Sequence, residues 1–249
     1  MAAFVSGWRI SYNYYVEIKN IHDWLRTAAQ AVAIQKRLAP LVVRNGRIER
    51  PALIAGVDMA AGRAGQPARA AVIVLSYPEL EVVATETACG ELSLPYIPGL
   101  LSFRELPLIL SALKKLRVTP DLFMVDGQGI AHPRRFGLAS HLALFTGRPT
   151  IGCAKSRLCG QSQPPGQEAG SLSRLMDGDE VIGAVLRTRA GVKPVFISIG
   201  SGIGLEAAVE WVLAACRGHR LPEPLRLAHR AAAGNSLEIA RAEEAGCRS

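Results

Sequence analysis

Apolar and polar positions along this chain switch between a helical and a strand period, and the switches mark its elements. From Asp23, apolar positions recur at a spacing of three to four (Trp24, Leu25, Ala28, Val32 and Leu38, with Gln35 in the same stripe) until Pro40 stops the pattern. That spacing predicts a helix covering a sheet. Leu53 to Ala60 is a short apolar run carrying Asp58, bounded by the charged Arg47-Ile-Glu-Arg50 and by Gly62 and Gly65, and reads as a central strand. Ala71–Leu75 and Leu80–Thr85, parted by Tyr77-Pro-Glu79, extend it into an antiparallel three-stranded meander over residues 53–88. Pro95 and Pro98 keep Leu94–Gly99 out of any helix interior, because each removes a donor and fixes φ; a stiff loop presenting Tyr96 and Ile97 results. Ser102-Phe-Arg-Glu105 has capping-box spacing ahead of the apolar-periodic Leu106–Leu116, making Glu105 a candidate N3 cap, although Pro107 blurs that start.

Further along, Leu122–Val125 is a strand running into Asp126, Ser140–Phe145 a helix and Pro149–Ala154 a strand ending at Lys155. Residues 160–173, rich in Gly, Pro, Gln and Ser, read as one long loop. Val181–Leu186 and Val195–Ile199 are strands joined through Ala190-Gly191, and Leu205–Cys216 is a helix with Leu205, Ala208, Val209, Val212 and Leu213 on one face. A short helix follows Leu221-Pro-Glu-Pro224. The expected organisation is an N-terminal extension over residues 1–20, a single domain over 21–233 and a flexible tail over 234–249. An acid on the first strand of a meander, ahead of an alternating α/β half, is the layout of a ribonuclease H-like fold: an α/β mixed sheet flanked by helices (α/β/α).

Composition narrows the partner. A chain of 249 residues with 49% hydrophobic content can bury a sizeable core. Its 29 Lys plus Arg against 21 Asp plus Glu give a formal charge of +8, which suits a polyanion. The five cysteines are scattered, without a Cys-x-x-Cys pair or a histidine at zinc spacing, which predicts a reduced compartment and no structural zinc. No apolar run approaches the roughly 20 residues of a membrane span, and the N-terminus lacks signal-peptide character. A soluble, cytoplasmic monomer is expected.

The chemistry gathers around Val125–Leu144. A buried strand delivers Asp126, Gly127 and Gly129 allow a sharp turn and close approach, Pro133 fixes the chain after His132, and Arg134 and Arg135 are candidate phosphate contacts. Asp-Gly-x-Gly alone reads equally well as a strand-to-helix turn whose Asp caps the helix. With Asp58 and Asp126 at strand ends, Glu105 near a helix start and Lys155 at another strand end, the pattern fits a metal-dependent nuclease. Paired magnesium ions held by carboxylates about 3.5–4 Å apart stabilise both oxygens of an in-line phosphoryl displacement.

These residues sit in blocks that resemble the endonuclease V family: Ile54-Ala-Gly-Val-Asp58, Pro95 to Glu105, Asp126 to His141, Ile151 to Leu158 and Leu221 to Pro224, in that family's order and spacing. The resemblance implies a ribonuclease H-like fold, a magnesium cofactor that manganese can replace, and a deoxyinosine-containing DNA substrate. The cut falls one nucleotide 3′ of the hypoxanthine base and leaves 3′-hydroxyl and 5′-phosphate ends. It implies that Asp58, Asp126 and Glu105 are the metal acids and Lys155 the catalytic lysine. It implies too that Tyr96, within Pro95, Ile97 and Pro98, is the wedge inserted where the damaged base leaves the stack, with Gly129, His132 and Arg134 at the pocket. Two alternatives stay open, an attenuated binder of inosine-containing or distorted strands and an endoribonuclease acting on inosine in RNA. Gln128 and Ser201 stand where the family usually has histidines. Because the second histidine lies beside the metal in the family, Ser201 implies a raised magnesium requirement.

Overall fold

The computed structural model describes residues 15–24, 27–62 and 66–235. Its strands are β1 (Leu53–Ala60), β2 (Ala68–Ser76), β3 (Val82–Gly90), β4 (Leu122–Val125), β5 (Thr150–Ala154), β6 (Leu172–Asp177), β7 (Glu180–Leu186) and β8 (Val195–Ser201). Its helices are α1 (Ala28–Leu38), α2 (Leu101–Leu113), α3 (Leu138–Thr146), α4 (Leu205–Ala214) and α5 (Glu223–Ala232). The strands form one sheet in the order β3-β2-β1-β4-β5-β8-β7-β6. β1, β4 and β5 run parallel at its centre, and the meander and the β6–β8 group add antiparallel pairs on either side.

The central strands are nearly all apolar because both of their faces are covered. Leu53, Ala55 and Val57 of β1 and Phe123 and Val125 of β4 pack with α2 and α3, while Ile54, Leu122, Met124 and Ile151 pack with α4 and Leu225 of α5. This is the helix–sheet–helix layering expected, with a ribonuclease H-like centre. Gly56 matters here, since a Cβ on it would lie 2.0 Å from the Pro224 carbonyl oxygen. Its absence lets the start of α5 lie directly on β1.

Several boundaries differ from expectation. α1 begins at Ala28, with the Thr27 hydroxyl capping Gln30 N–H, so Trp24 lies ahead of the helix and stacks on Phe145; Leu25 falls outside the described residues. α2 starts at Leu101 without a side-chain cap, which places Ser102 and Glu105 inside the helix rather than in a capping box. The Ser102 hydroxyl bonds His141 instead, and the helix runs through Pro107. The long loop ends early, because β6 begins at Leu172 and turns into β7 through Gly178 and Asp179. β6 is an edge strand with Leu172, Arg174 and Asp177 exposed, so its apolar signal is weak. From Tyr15 the chain lies on the fold: Val16 is buried, and Lys19 N–H donates to the Phe145 carbonyl at 2.8 Å. The expected tail lies outside the described residues from position 236 onward.

Candidate active site

Strand register and side-chain alternation assemble the first part of the site. β1 and β4 pair in parallel with Ile54 opposite Leu122 and Val57 opposite Val125, so Asp58 and Asp126 occupy equivalent positions one step beyond. Adjacent strands lie about 4.8 Å apart, which brings the two carboxylates together. Successive side chains alternate faces, and both acids therefore project toward the face that carries α4 and α5. β5 pairs with Val125 opposite Gly152, and Lys155 follows on the same face as Cys153. The Lys155 ammonium forms an ion pair with Asp126 and lies 3.9 Å from Asp58.

The fourth member comes from α5. With Pro224 against Gly56, five residues of helix rise about 7.5 Å and two residues of strand about 6.6 Å. The two spans match, and His229 meets Asp58, its Nδ1 lying 2.7 Å from Asp58 Oδ2 and 3.1 Å from Lys155 Nζ. Asp58, Asp126 and His229 each place one potential ligand atom within 4.8 Å of the others. Glu105 approaches from α2 and stays outside that tight group, yet it feels the field of both aspartates.

The electrostatics favour a cation. Burial, and then the neighbouring Asp126 carboxylate, push the Asp58 carboxyl above its ordinary range; Lys155 and the His229 hydrogen bond only partly oppose this. Burial and the two aspartates raise Glu105 to about 8. Two carboxylates and an imidazole crowded by a third acid make a donor set that fits a divalent ion.

Beside this cluster lies a cavity of about 350 Å³, lined on one side by Tyr96 and Gly99, on another by Gln128 and His132, and by Lys155 and Arg157 at the acidic end, where Asp126 also contributes. Tyr96 is 65% exposed at its mouth. His132 is buried, and burial lowers its pKa to about 4. It is therefore neutral near pH 7: Nδ1 accepts from Arg134 N–H, and Nε2–H donates to the Gly99 carbonyl. Gln128 Nε2 donates to the Ser156 carbonyl at 2.8 Å, tying the loop after β4 to the turn that carries Lys155. Arg220 steadies the same turn, donating to the carbonyls of Lys155, Lys193 and Pro194.

Some expected roles change. Gly129 does not line the cavity; its N–H donates to Ser198, and a Cβ on it would meet the Ile199 carbonyl oxygen at 1.9 Å, so β8 demands the glycine. Arg134 is committed to Gln35 and Gly99, and Arg135 to Asp177 and Glu180, so neither guanidinium projects freely as a phosphate contact. Ser201 pairs with Thr150 at the far end of β5, about 16 Å of strand from Lys155, and accepts from Val43 N–H at 2.9 Å. The expectation that this position borders the metal acids is therefore overturned, and with it the inferred magnesium penalty. His229 was not anticipated. A polar residue one turn on from the buried Leu225, in a helix facing an acid-bearing strand, is the signal that points to it.

A ribonuclease H-like sheet that gathers acids, an imidazole and a lysine at its strand ends, next to a ligand-sized cavity, defines a nuclease of the metal-dependent class. Residues 36–230 match the endonuclease V family profile. The chain is 52% identical over 218 residues to Endonuclease V of Dehalococcoides mccartyi, covering 88% of this chain and 98% of that protein. The crystal structure of the Bacillus subtilis protein superposes with a TM-score of 0.84 at 33% identity, covering 88% of this chain and 96% of that one. Ciona intestinalis Endonuclease V, solved with a 24mer DNA containing an inosine followed by a ribo-adenosine, superposes at 0.71 with 27% identity, covering 83% and 96%. This chain belongs to the endonuclease V family.

Proposed function

We propose that the protein is a magnesium-dependent endonuclease that recognises deoxyinosine in DNA and hydrolyses the strand one nucleotide 3′ of it, leaving a 3′-hydroxyl and a 5′-phosphate. The observation that carries this reading is the sharing of residues between two features: Asp126 and Lys155 belong both to the acidic cluster and to the wall of the cavity at whose mouth Tyr96 stands. A base held in the cavity thus has its own strand passing over the acids.

Asp58, Asp126 and His229 would hold the ion, with Glu105 losing its proton to complete the charge balance. Bound there, a divalent ion activates water and neutralises charge developing on the scissile phosphate. Lys155 supplies a fixed positive charge at the same phosphate, and Arg157, on the same turn, extends the basic wall along the strand. Tyr96, stiffened by Pro95 and Pro98 and flanked by Ile97, replaces the stacking lost when the base leaves the duplex. Hypoxanthine pairs weakly, so its extrusion costs less than that of a normal base. Inside the cavity, His132 presents a neutral wall, with Gly127 and Gln128 beside it.

The test uses duplexes identical except for one inosine, incubated with purified protein in magnesium or in chelator, with the ends mapped at nucleotide resolution. The reading predicts one cut, 3′ of inosine, in magnesium only. Equal cutting of both duplexes would sink it, and a matched RNA arm decides which nucleic acid is preferred.

A further inference from the structure

We infer that Gln35 is a positioning residue that locks the Tyr96 loop to the opposite wall of the cavity, so that base recognition depends on α1. This rests on the inosine-pocket reading above. Gln35 is 1% exposed, and its whole carboxamide is in use. Nε2 donates to the carbonyls of Gly99 at 2.9 Å and Phe136 at 3.1 Å, and Oε1 accepts from Arg134 Nε. Gly99 closes the proline-bounded loop in a left-handed conformation, φ +78°. Its carbonyl receives two further donors, Arg134 Nη2 at 2.8 Å and His132 Nε2 at 3.0 Å.

A carbonyl oxygen offers two lone pairs, and here three N–H groups converge on one. Three donors sharing two lone pairs fix the oxygen where their three directions balance, so losing one lets the carbonyl tilt toward the other two. Gln35 differs from the other two donors in what it joins. His132 and Arg134 both belong to the loop after β4, whereas Gln35 comes from α1 and bonds both that loop, at Phe136, and the Tyr96 loop, at Gly99. Tyr96 itself is exposed, so its direction is set by the backbone that ends at Gly99 rather than by packing. A buried network with every member paired holds one geometry.

Gln35→Met keeps the volume and removes all three hydrogen bonds made by the carboxamide. Recognition of a duplex, which must be opened, should suffer more than recognition of a single strand. The expected result is a KM for inosine duplex raised roughly tenfold, the scale of one buried hydrogen bond left unmade. The KM for single-stranded inosine substrate and kcat at saturation should stay within about twofold, since the tenfold loss is confined to the step that opens the duplex. The fluorescence of a 2-aminopurine placed beside inosine, which rises when its neighbour unstacks, should fall in the same complex. Gln35→Asn, shorter by one methylene, gives the same split with polarity retained and serves if the Met variant does not fold. Uniform losses on both substrates, or no change with either variant in a protein whose wild type discriminates inosine, would overturn the positioning role alone. A wild type blind to inosine would overturn the pocket reading and this inference with it.

Discussion

At the strand ends, Asp58 and Asp126 crowd together in the field of Glu105 on α2, and Lys155 and His229 only partly offset them; around Gly99, by contrast, Gln35, His132 and Arg134 converge in a paired network. The first region is electrostatically incomplete, and the second is complete before any ligand arrives. The contrast separates two tasks. A site that must capture a divalent ion stores repulsion that the ion relieves. A site that must judge the shape of a base has its Gly99 frame already held in one geometry, while the buried Gln128 Oε1 in its wall has no protein partner.

The largest effect should come from breaking the first region. Asp126→Asn removes a candidate ligand and the partner of Lys155, and cleavage of inosine duplex should fall by at least about 100-fold, the range found when a group stabilising developing charge is lost. Binding of the same duplex should change little, which gel shift or anisotropy would show. Tyr96→Ala attacks the second region and should weaken duplex binding more than single-strand binding, since base stacking on an aromatic is worth about 1–3 kcal/mol. Equal losses on both substrates would remove the wedge role.

The two regions should also oppose each other in pH. Glu105, raised from 4.5 to about 8, holds a proton in the folded, metal-free protein that the unfolded chain releases. Stability therefore declines as pH rises through that window. His132, lowered from 6.5 to about 4, does the reverse: the unfolded chain takes up a proton that the folded one refuses, and stability declines as pH falls through that window. Glu105→Gln should raise the metal-free melting temperature near pH 8 by several degrees, at about 2–4 °C per kcal/mol for a chain of this size, and leave it unchanged near pH 4.5. Calorimetry at the two pH values checks this, and a pH-independent shift would contradict the assignment. The smallest effect is expected at Ser201: Ser201→His should leave the magnesium dependence of cleavage superimposable on wild type, because the residue sits at the other end of β5.

Much of this was legible in the residues. The acids near the ends of β1 and β4 and the lysine after β5 follow from apolar runs that stop at a polar residue, and Tyr96 follows from the two prolines that bar its loop from a helix interior. Parallel register then converts separate strand ends into one cluster, a step that needs only strand order. His229 was less legible because its role depends on α5 lying against Gly56, a tertiary approach that no local period encodes. Ser201 misled for the related reason that β8 runs antiparallel to β5, which carries a residue near in motif to the far end of the strand. Arg134 looked like a phosphate ligand from its charge, yet the nearby Gly99 carbonyl claims it. β6 hid because an exposed edge strand carries little apolar signal.

The division of labour between the two regions is tested most directly by binding without chemistry. The affinity of wild-type protein for two duplexes, identical except for one inosine, is measured in chelator, and magnesium is then added to the preformed complexes. The account predicts tighter binding to the inosine duplex in chelator, with no cut, and incision of that complex once magnesium arrives. Loss of the preference for inosine in chelator would show that recognition depends on the ion and would contradict the account.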